Sequence, residues 1–185
     1  MIVFAIVFVT LLAVFGVWLA AGYNSLVALR NIVKNAWAQI DVQLERRHDL
    51  IPNLIETVKG YAAHERETLD AVIRARSAAI SAKGVAEQSQ AEEQLSGVLG
   101  RLMLVVEQYP ELKANQNFLA LQEELTSTEN RIGFARQAYN DAVMGFNTQA
   151  QSFPLNLIAG AFHFGEQPFF EIDGPEREAP QVSFA

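Results

Sequence analysis

The sequence predicts an all-α protein: an antiparallel four-helix bundle with an N-terminal transmembrane helix and a Phe-rich C-terminal extension. Three observations support this fold class. The chain opens with an uncharged apolar run, apolar residues then recur at helical spacing, and the final stretch is rich in proline, glycine and phenylalanine. We therefore predict an anchor at 1–22, a helical-bundle domain at 23–150, an apolar Phe-rich segment at 151–173 and a flexible acidic tail at 174–185.

Residues 1–22 form the predicted membrane anchor, because they carry no charged side chain and about 20 apolar residues in a helix span the ~30 Å hydrocarbon core. A cleaved signal peptide is the alternative, with the small residues at 20–22 as its cleavage site. Such peptides have a basic start and an apolar core of only about 7–15 residues, so we expect a retained single-pass anchor. The residues predicted to face lipid are Ile2, Phe4, Phe8, Leu12, Phe15 and Trp18.

The first basic residues after the apolar run are Arg30 and Lys34. Since basic residues near a span favour the cytoplasmic side, we expect the bundle domain in the cytoplasm. The chain has no cysteine, which excludes disulfides and thiolate metal sites. The net charge of −7 argues against a nucleic-acid partner, because such proteins usually present a basic face.

Four apolar stripes at helical spacing predict the bundle helices. They run from Leu26 to Leu44, from Ile51 to Ile80, from Leu95 to Val106 and from Phe118 to Phe146. Short connections between them predict antiparallel neighbours.

Residues at the ends of these stripes predict the helix limits. Gly84 follows the second stripe, where a helix-ending glycine is expected. Ser89 and Glu92 have the spacing of a capping box for the third helix, and Pro110 predicts a break before the fourth.

The segment 39–61, "QIDVQLERRHDLIPNLIETVKGY", is the strongest candidate for chemistry because charged residues and a histidine interrupt its apolar pattern. Glu45 and His48 have the Glu-x-x-His spacing of di-metal bundles, which need two such pairs. Neither of the other two histidines has an acidic residue three places before it. Arg46 and Arg47 would also repel a cation, so we expect no metal and no cofactor.

The sequence contains no nucleophile elbow, thiol or phosphate loop. We therefore predict no catalytic residues and no enzymatic activity. Glu129, Arg131 and Arg136 are expected to form internal ion pairs. An enzyme that uses such groups is the remaining alternative, and it would need a polar cavity.

The same segment has a structural interpretation as a corner between two helices. Asp49 would cap a new helix, and Pro52 would lie in its first turn, where no amide is needed. Arg46 and Arg47 would then lie at the end of the preceding helix, where its dipole favours cations. One continuous helix kinked at Pro52 is the alternative.

The segment 151–173 is too aromatic for a disordered tail. It could pack on its own bundle, on a neighbouring subunit or on the membrane, because clustered exposed aromatics mark interaction surfaces. The residues of the predicted assembly contact are Phe153, Phe162, Phe164, Phe169 and Phe170.

Three blocks of the sequence closely resemble the LemA family. They are "YNSLVALRNIVKNAWAQIDVQLERRHDLIPNLIETVKGYAAHE" at 23–65, "LGRLMLVVEQYPELKANQNFLALQEELTSTENRIGFARQAYNDAV" at 99–143 and "PLNLIAGAFHFGEQPFFE" at 154–171. His163 departs from this pattern, because the resemblance leads us to expect glycine there.

The resemblance implies one N-terminal membrane helix, a helical bundle and a location in the bacterial inner (cytoplasmic) membrane. It implies no catalytic residues. Family members are often encoded near an HtpX-type membrane metallopeptidase, and one relative is linked to magnetosome membrane formation. We therefore expect a membrane-anchored scaffold that forms a homo-oligomer or binds other membrane proteins. The alternative is an adaptor for such a metallopeptidase in membrane-protein quality control.

Overall fold

The computed structural model describes residues 1–171, and these residues are 84% helical with no strand among them. The prediction of an all-α protein with an N-terminal apolar helix is confirmed. The predicted acidic tail at 174–185 lies outside the described residues, as does the end of the Phe-rich segment. The predicted segment limits stay a prediction.

The described chain forms six helices: α1 Ile2–Lys59, α2 Arg66–Ser81, α3 Gly84–Val106, α4 Pro110–Lys113, α5 Gln116–Gln151 and α6 Leu155–Ala161. They divide into two compact units. Among the described residues, the first unit contains 1–41 and 133–168, and the second contains 42–132 and 169–171.

Residues 2–17, at the start of α1, are all exposed. Its apolar section is long and hydrophobic enough to cross a membrane by length and composition, with a mean hydropathy of 2.9 and none of it buried within the protein. An apolar surface this long is unfavourable in water, since burial of apolar area is favourable by roughly 25 cal/mol per Å². This section is therefore consistent with a membrane anchor.

The core of the first unit is built by heptad-like positions on α1 and α5. The buried apolar residues of this unit are Leu26, Val33, Ala36, Ile40, Tyr139, Val143, Phe146, Ala150, Ile158, Ala159 and Phe164. The rings of Trp37 and Tyr139 meet edge to face with their centroids 5.4 Å apart. The fourth predicted stripe is thereby confirmed at its C-terminal half.

Gly22 allows α6 to approach α1 closely. A Cβ atom at this position would lie 2.6 Å from Ile158 Cδ1 and 2.8 Å from Leu155 Cδ2, which is well inside ordinary van der Waals contact. A larger residue would therefore push α6 away. This contact gives a structural reason for glycine at a position that the sequence offered as a cleavage site.

The core of the second unit draws apolar residues from five helices. They are Ile51, Leu54, Ile55, Val58 and Ala62; Leu69, Val72 and Ala79; Ala91, Leu95, Leu99, Leu102 and Val106; and Leu112, Phe118 and Leu125. Each fully buried Val, Leu, Ile or Phe side chain contributes about 1.5–3 kcal/mol relative to exposure. Burial of the same face of successive helices explains the apolar periodicity of the sequence.

Two turns of the second unit are set by local chemistry. Gly84 has a φ of +79°, a conformation that glycine adopts without steric penalty, but it begins α3 and does not end α2, which stops at Ser81. Asn115 caps α5, because its Oδ1 accepts hydrogen bonds from the amides of Asn117 at 2.9 Å and Phe118 at 3.1 Å. Pro110 begins the short helix α4 and confirms the predicted break.

The predicted capping box at Ser89 and Glu92 is wrong. The third helix begins at Gly84, five residues earlier, so both residues lie inside it. The Ser89 hydroxyl donates instead to the carbonyl of Glu171, and the Glu92 carboxylate serves the buried network described next. The spacing of Ser89 and Glu92 matches a capping box, but both residues are buried inside α3, where they make other contacts.

Candidate functional site

A buried ionic network inside the second unit is the strongest concentration of polar chemistry in the described chain. Arg47 and His48 project inward from α1, and Glu92 meets them from α3. Arg47 Nη1 lies 3.3 Å from Glu92 Oε2 and 3.1 Å from Glu129 Oε2 on α5. Its second nitrogen, Nη2, donates to the Ser96 hydroxyl at 2.8 Å. Three helices of this unit thus meet at one guanidinium.

Glu92 is almost completely enclosed, with 5% of its surface exposed. Its Oε1 lies 2.8 Å from His48 Nε2 and accepts a hydrogen bond from Gln88 Nε2 at 3.0 Å. Gln88 also donates to the Ala79 carbonyl at 3.1 Å. An isolated buried carboxylate is strongly disfavoured, and three polar partners compensate for its lost hydration. We therefore interpret Glu92 as a hydrogen-bonded structural residue and not as a reactive carboxylate.

The predicted helix corner at Arg46, Arg47, Asp49 and Pro52 is wrong, because α1 continues unbroken from Ile2 to Lys59. The alternative of one continuous helix is the structure. Asp49 therefore lies in the helix interior, where it caps nothing, and it is exposed. The chain turns later, after Lys59, where Gly60 begins the connection to α2.

The helix continues through Pro52 because a side chain replaces its missing backbone donor. A proline inside a helix leaves the carbonyl four residues earlier without its amide partner. That carbonyl belongs to His48, and Arg76 Nε donates to it at 2.7 Å. Since Arg76 lies on α2, the interruption in α1 becomes a contact between two helices.

Arg46 differs from its neighbour Arg47 in exposure. It pairs with Glu124 at the surface, where both side chains remain substantially exposed. Exposed ion pairs contribute only about 0–1 kcal/mol, whereas removal of one partner from a buried pair leaves an uncompensated charge. Of the two arginines, only Arg47 is part of the interior.

A cleft of about 270 Å³ adjoins the network. Leu99, Met103 and Leu125 form its apolar wall, and Arg47 with Glu129 supply charge at its edge. The remaining lining residues are Ser96, Gly100, Thr126 and Asn130. The cleft could hold an apolar side chain or a small apolar molecule. Its charged residues already pair with each other, so it is not built to hold an isolated ion.

Within residues 1–171, no group of three or more histidine or acidic side chains lies close enough together to hold a metal ion. The predicted ion pairing of Glu129 is present, and its partner is Arg47. Sequence reasoning missed Glu92, Gln88 and Arg76 as members of the network. The signal for the first two was available, because the α3 stripe extended backward from Leu95 passes through positions 92 and 88.

The Phe-rich segment packs partly on its own chain. Phe164 is buried in the first unit, where its ring contacts Tyr23 and Phe146 with centroids 5.6 Å and 6.4 Å apart. Arg30 lies over the same ring at 4.9 Å from its centroid, a favourable cation–π distance. Phe170 is buried as well. These two phenylalanines are therefore removed from the predicted assembly contact, whereas Phe153, Phe162 and Phe169 remain exposed.

The chain after α6 is held by polar contacts within the first unit. Tyr139 donates to the Pro168 carbonyl at 2.9 Å. Asn147 uses both ends of its amide, donating to the Gln167 carbonyl and accepting from the Gln167 amide, each at 2.9 Å. Burial raises the pKa of the Tyr139 phenol above its usual value, because a buried phenolate would lose hydration.

His163 occupies a position where the resemblance leads us to expect glycine, and its backbone conformation is one that favours glycine. Its φ is +57°, in the left-handed region where a side chain is disfavoured and glycine is not. The residue lies two positions after the end of α6 and immediately before Phe164, which is buried. The backbone therefore supports the expectation of glycine, even though this chain has histidine.

These observations define the class of protein: the described chain is all-helical, its N-terminal apolar helix is consistent with a membrane anchor, and its buried Arg47 and Glu92 pair with each other. The LemA family profile matches residues 36–184. The chain therefore belongs to the LemA family, as its sequence blocks suggested.

Individual relatives agree with this assignment. The chain is 27% identical over 176 residues to Protein LemA of Metamycoplasma hominis, covering 94% of this chain and 80% of that relative. It is 24% identical over 187 residues to Magnetosome protein MamQ 2 of Paramagnetospirillum magneticum, covering 87% of this chain and 68% of that protein. Magnetosome protein MamQ of Magnetospirillum gryphiswaldense is 23% identical with the same coverage. Together they support a membrane-associated protein.

Proposed function

We propose that this protein is a non-enzymatic, single-pass membrane scaffold that self-assembles or binds other membrane proteins through its helical domain. The observation that carries the proposal is α1 itself. The exposed apolar stretch at 2–17 and the buried Leu26 belong to the same unbroken helix. Anchoring also confines the protein to two dimensions, which raises the effective concentration of its contacts.

The composition of the second unit supports a scaffold role. Its ionisable interior residues, Arg47 and Glu92, are engaged with each other and with neighbouring polar groups. Groups held in this way stabilise a helical framework. The packing predicted from the sequence, an antiparallel four-helix bundle, is part of this proposal, and we place the domain on the cytoplasmic side of the bacterial inner membrane.

Exposed apolar side chains outside the anchor offer contact points for self-assembly. Leu104 on α3 is one of them. The test is the mass of the full-length protein in mild detergent, measured by mass photometry. We expect a homo-oligomer that Leu104→Glu weakens, whereas Gln94→Glu adds the same charge to an exposed polar position of α3 and leaves the assembly intact. A strictly monomeric wild-type protein would refute self-assembly.

A second candidate function is that of an adaptor for an HtpX-type membrane metallopeptidase. The cleft beside Arg47 favours it, because its apolar wall could accept a side chain from an unfolded membrane protein. Met103→Glu would introduce charge into this wall. We expect the variant to slow turnover of a membrane-protein substrate by the peptidase, while Glu93→Gln, at an exposed position of α3, leaves turnover unchanged. Equal turnover with wild type, Met103→Glu and no added protein would contradict the adaptor role.

A further inference from the structure

The first unit has an end that lacks formal charge. Residues 1–29 contain no Asp, Glu, Lys or Arg, and neither do residues 142–165, which include the end of α5 and all of α6. Within the second range, His163 is the only residue whose side chain can become charged near neutral pH. Two segments that are far apart in sequence thus share a composition that suits the boundary of a membrane.

Packing brings these two segments together at the end of the apolar run. Ile158 and Leu155 of α6 lie against Gly22 of α1. The ring of Phe162 meets Tyr23 edge to face with centroids 5.0 Å apart. A helix rises 1.5 Å per residue, so α6 lies at the level where a span that began near residue 2 leaves the ~30 Å hydrocarbon core.

The face of α6 that carries Leu157 is uncovered, as are two phenylalanines that flank the helix. Phe153 is 81% exposed, Leu157 is 63% exposed and Phe162 is 56% exposed. The buried residues of this helix, Ile158 and Ala159, lie on the other face. An exposed apolar surface of this kind is unfavourable in water and favourable at the membrane interface, where aromatic side chains are enriched.

Charge agrees with this placement. Arg30, the first charged residue of α1, follows Gly22 by eight residues, which is about 12 Å along the helix axis. The headgroup layer on each side of the hydrocarbon core is only about 5–7 Å thick by the difference between the two bilayer dimensions. Arg30 therefore lies beyond the layer that α6 would occupy.

We infer that α6 and the residues that flank it form a second membrane contact, which inserts Phe153, Leu157 and Phe162 into the interface of the bilayer that α1 spans. The occupant of this face is lipid, because the face continues the exposed apolar surface of α1 at Gly22. The inference rests on the membrane anchor of the proposed function. It does not depend on self-assembly.

The test uses the full-length protein in lipid nanodiscs and exploits its lack of cysteine. A single cysteine is introduced as Leu157→Cys and labelled with an environment-sensitive fluorophore. We expect quenching by a phosphatidylcholine brominated near the headgroup and at least threefold protection from aqueous iodide relative to the control. The control is Phe134→Cys, because Phe134 is 74% exposed in the same unit and lies about 25 Å along α5 from Gln151.

A label at Val9→Cys, in the exposed apolar stretch, is tested with a phosphatidylcholine brominated deep in its acyl chains and separates this inference from the anchor proposal. If Val9 is lipid-quenched and Leu157 behaves like Phe134, the interfacial contact is wrong and the anchor stands. If Val9 is not lipid-quenched, both are wrong. If Leu157 is protected from iodide without lipid quenching, and protection disappears in nanodiscs that hold one copy, a second protein chain covers the face and the inference is overturned.

Discussion

The hydrogen bond between Arg76 and the His48 carbonyl gives the sharpest prediction about stability. Arg76 Nε donates at 2.7 Å to the His48 carbonyl, which has no amide partner because residue 52 is proline. Arg76→Met keeps most of the apolar length of the side chain and removes the donor. The His48 carbonyl then loses this replacement partner.

Hydrogen bonds that involve a charged group contribute about 1.5–3 kcal/mol. We therefore expect Arg76→Met to lower the free energy of unfolding by about 2 kcal/mol. For a chain of this length, 1 kcal/mol shifts the melting temperature by about 2–4 °C. The expected decrease is roughly 4–8 °C. Arg74→Met, at an exposed position of the same helix, should change stability by no more than about 0.5 kcal/mol.

Pro52→Ala restores the backbone donor and should make Arg76 dispensable. With alanine at position 52, its amide can donate to the His48 carbonyl as in an ordinary helix. We expect Arg76→Met to be at least about 1 kcal/mol less destabilising in the Pro52→Ala background than in the wild type. Such a coupling is the signature of two residues that serve one group.

The assay is thermal unfolding in mild detergent of the full-length wild type, the two single variants, the double variant and the Arg74→Met control, followed by circular dichroism of the helical signal. Strict additivity of the two substitutions would show that Arg76 does not replace the proline's missing donor. An Arg76→Met protein as stable as the Arg74→Met control would refute the assignment of this hydrogen bond as stabilising.

Four further predictions use the same unfolding assay. Glu92→Ala should destabilise by about 3 kcal/mol or more, because it leaves a buried guanidinium poorly compensated; a loss below 1 kcal/mol would contradict this. Gly22→Leu should lower stability by about 1–3 kcal/mol through overpacking against α6, whereas Gly16→Leu, which meets nothing within 4 Å, should not. His163→Gly should stabilise by about 1 kcal/mol by relieving the left-handed backbone, and no gain would argue against strain there. Burial raises the pKa of Tyr139 above 10.0, so above about pH 10 the unfolded chain releases a proton that the folded chain keeps, and stability falls as pH rises. Tyr139→Phe should lose less stability than the wild type between about pH 9 and 11, and parallel curves would refute that contribution.

Much of the helical content was predictable because amphipathic periodicity reports which face of a helix is buried. The stripe from Phe118 to Phe146 corresponds to α5, and the break at Pro110 and the conformation of Gly84 follow from backbone chemistry. The limits of α1 were not predictable from the same rules. Asp49 and Pro52 have the local signature of a helix start, and only a side chain from α2 explains why the helix continues.

The network around Glu92 was not predictable for a related reason. Its members come from four helices, and the pairing of Arg47 with Glu92 joins residues that are 45 positions apart. A charged residue on an apolar stripe indicates a buried charge, but the identity of its partner depends on how the helices pack. Local spacing suggested a capping box instead.

Composition, periodicity and long motifs are properties of the chain. They were therefore enough to predict that this protein is helical, that its first residues suit a membrane and that it belongs to the LemA family. Which polar groups are partners depends on how the helices pack. In the folded chain, Arg76 donates to the carbonyl freed by Pro52, Glu92 lies among its donors, and α6 packs on Gly22. Each of these contacts depends on side chains that are distant in sequence, and only the packed helices bring them within reach.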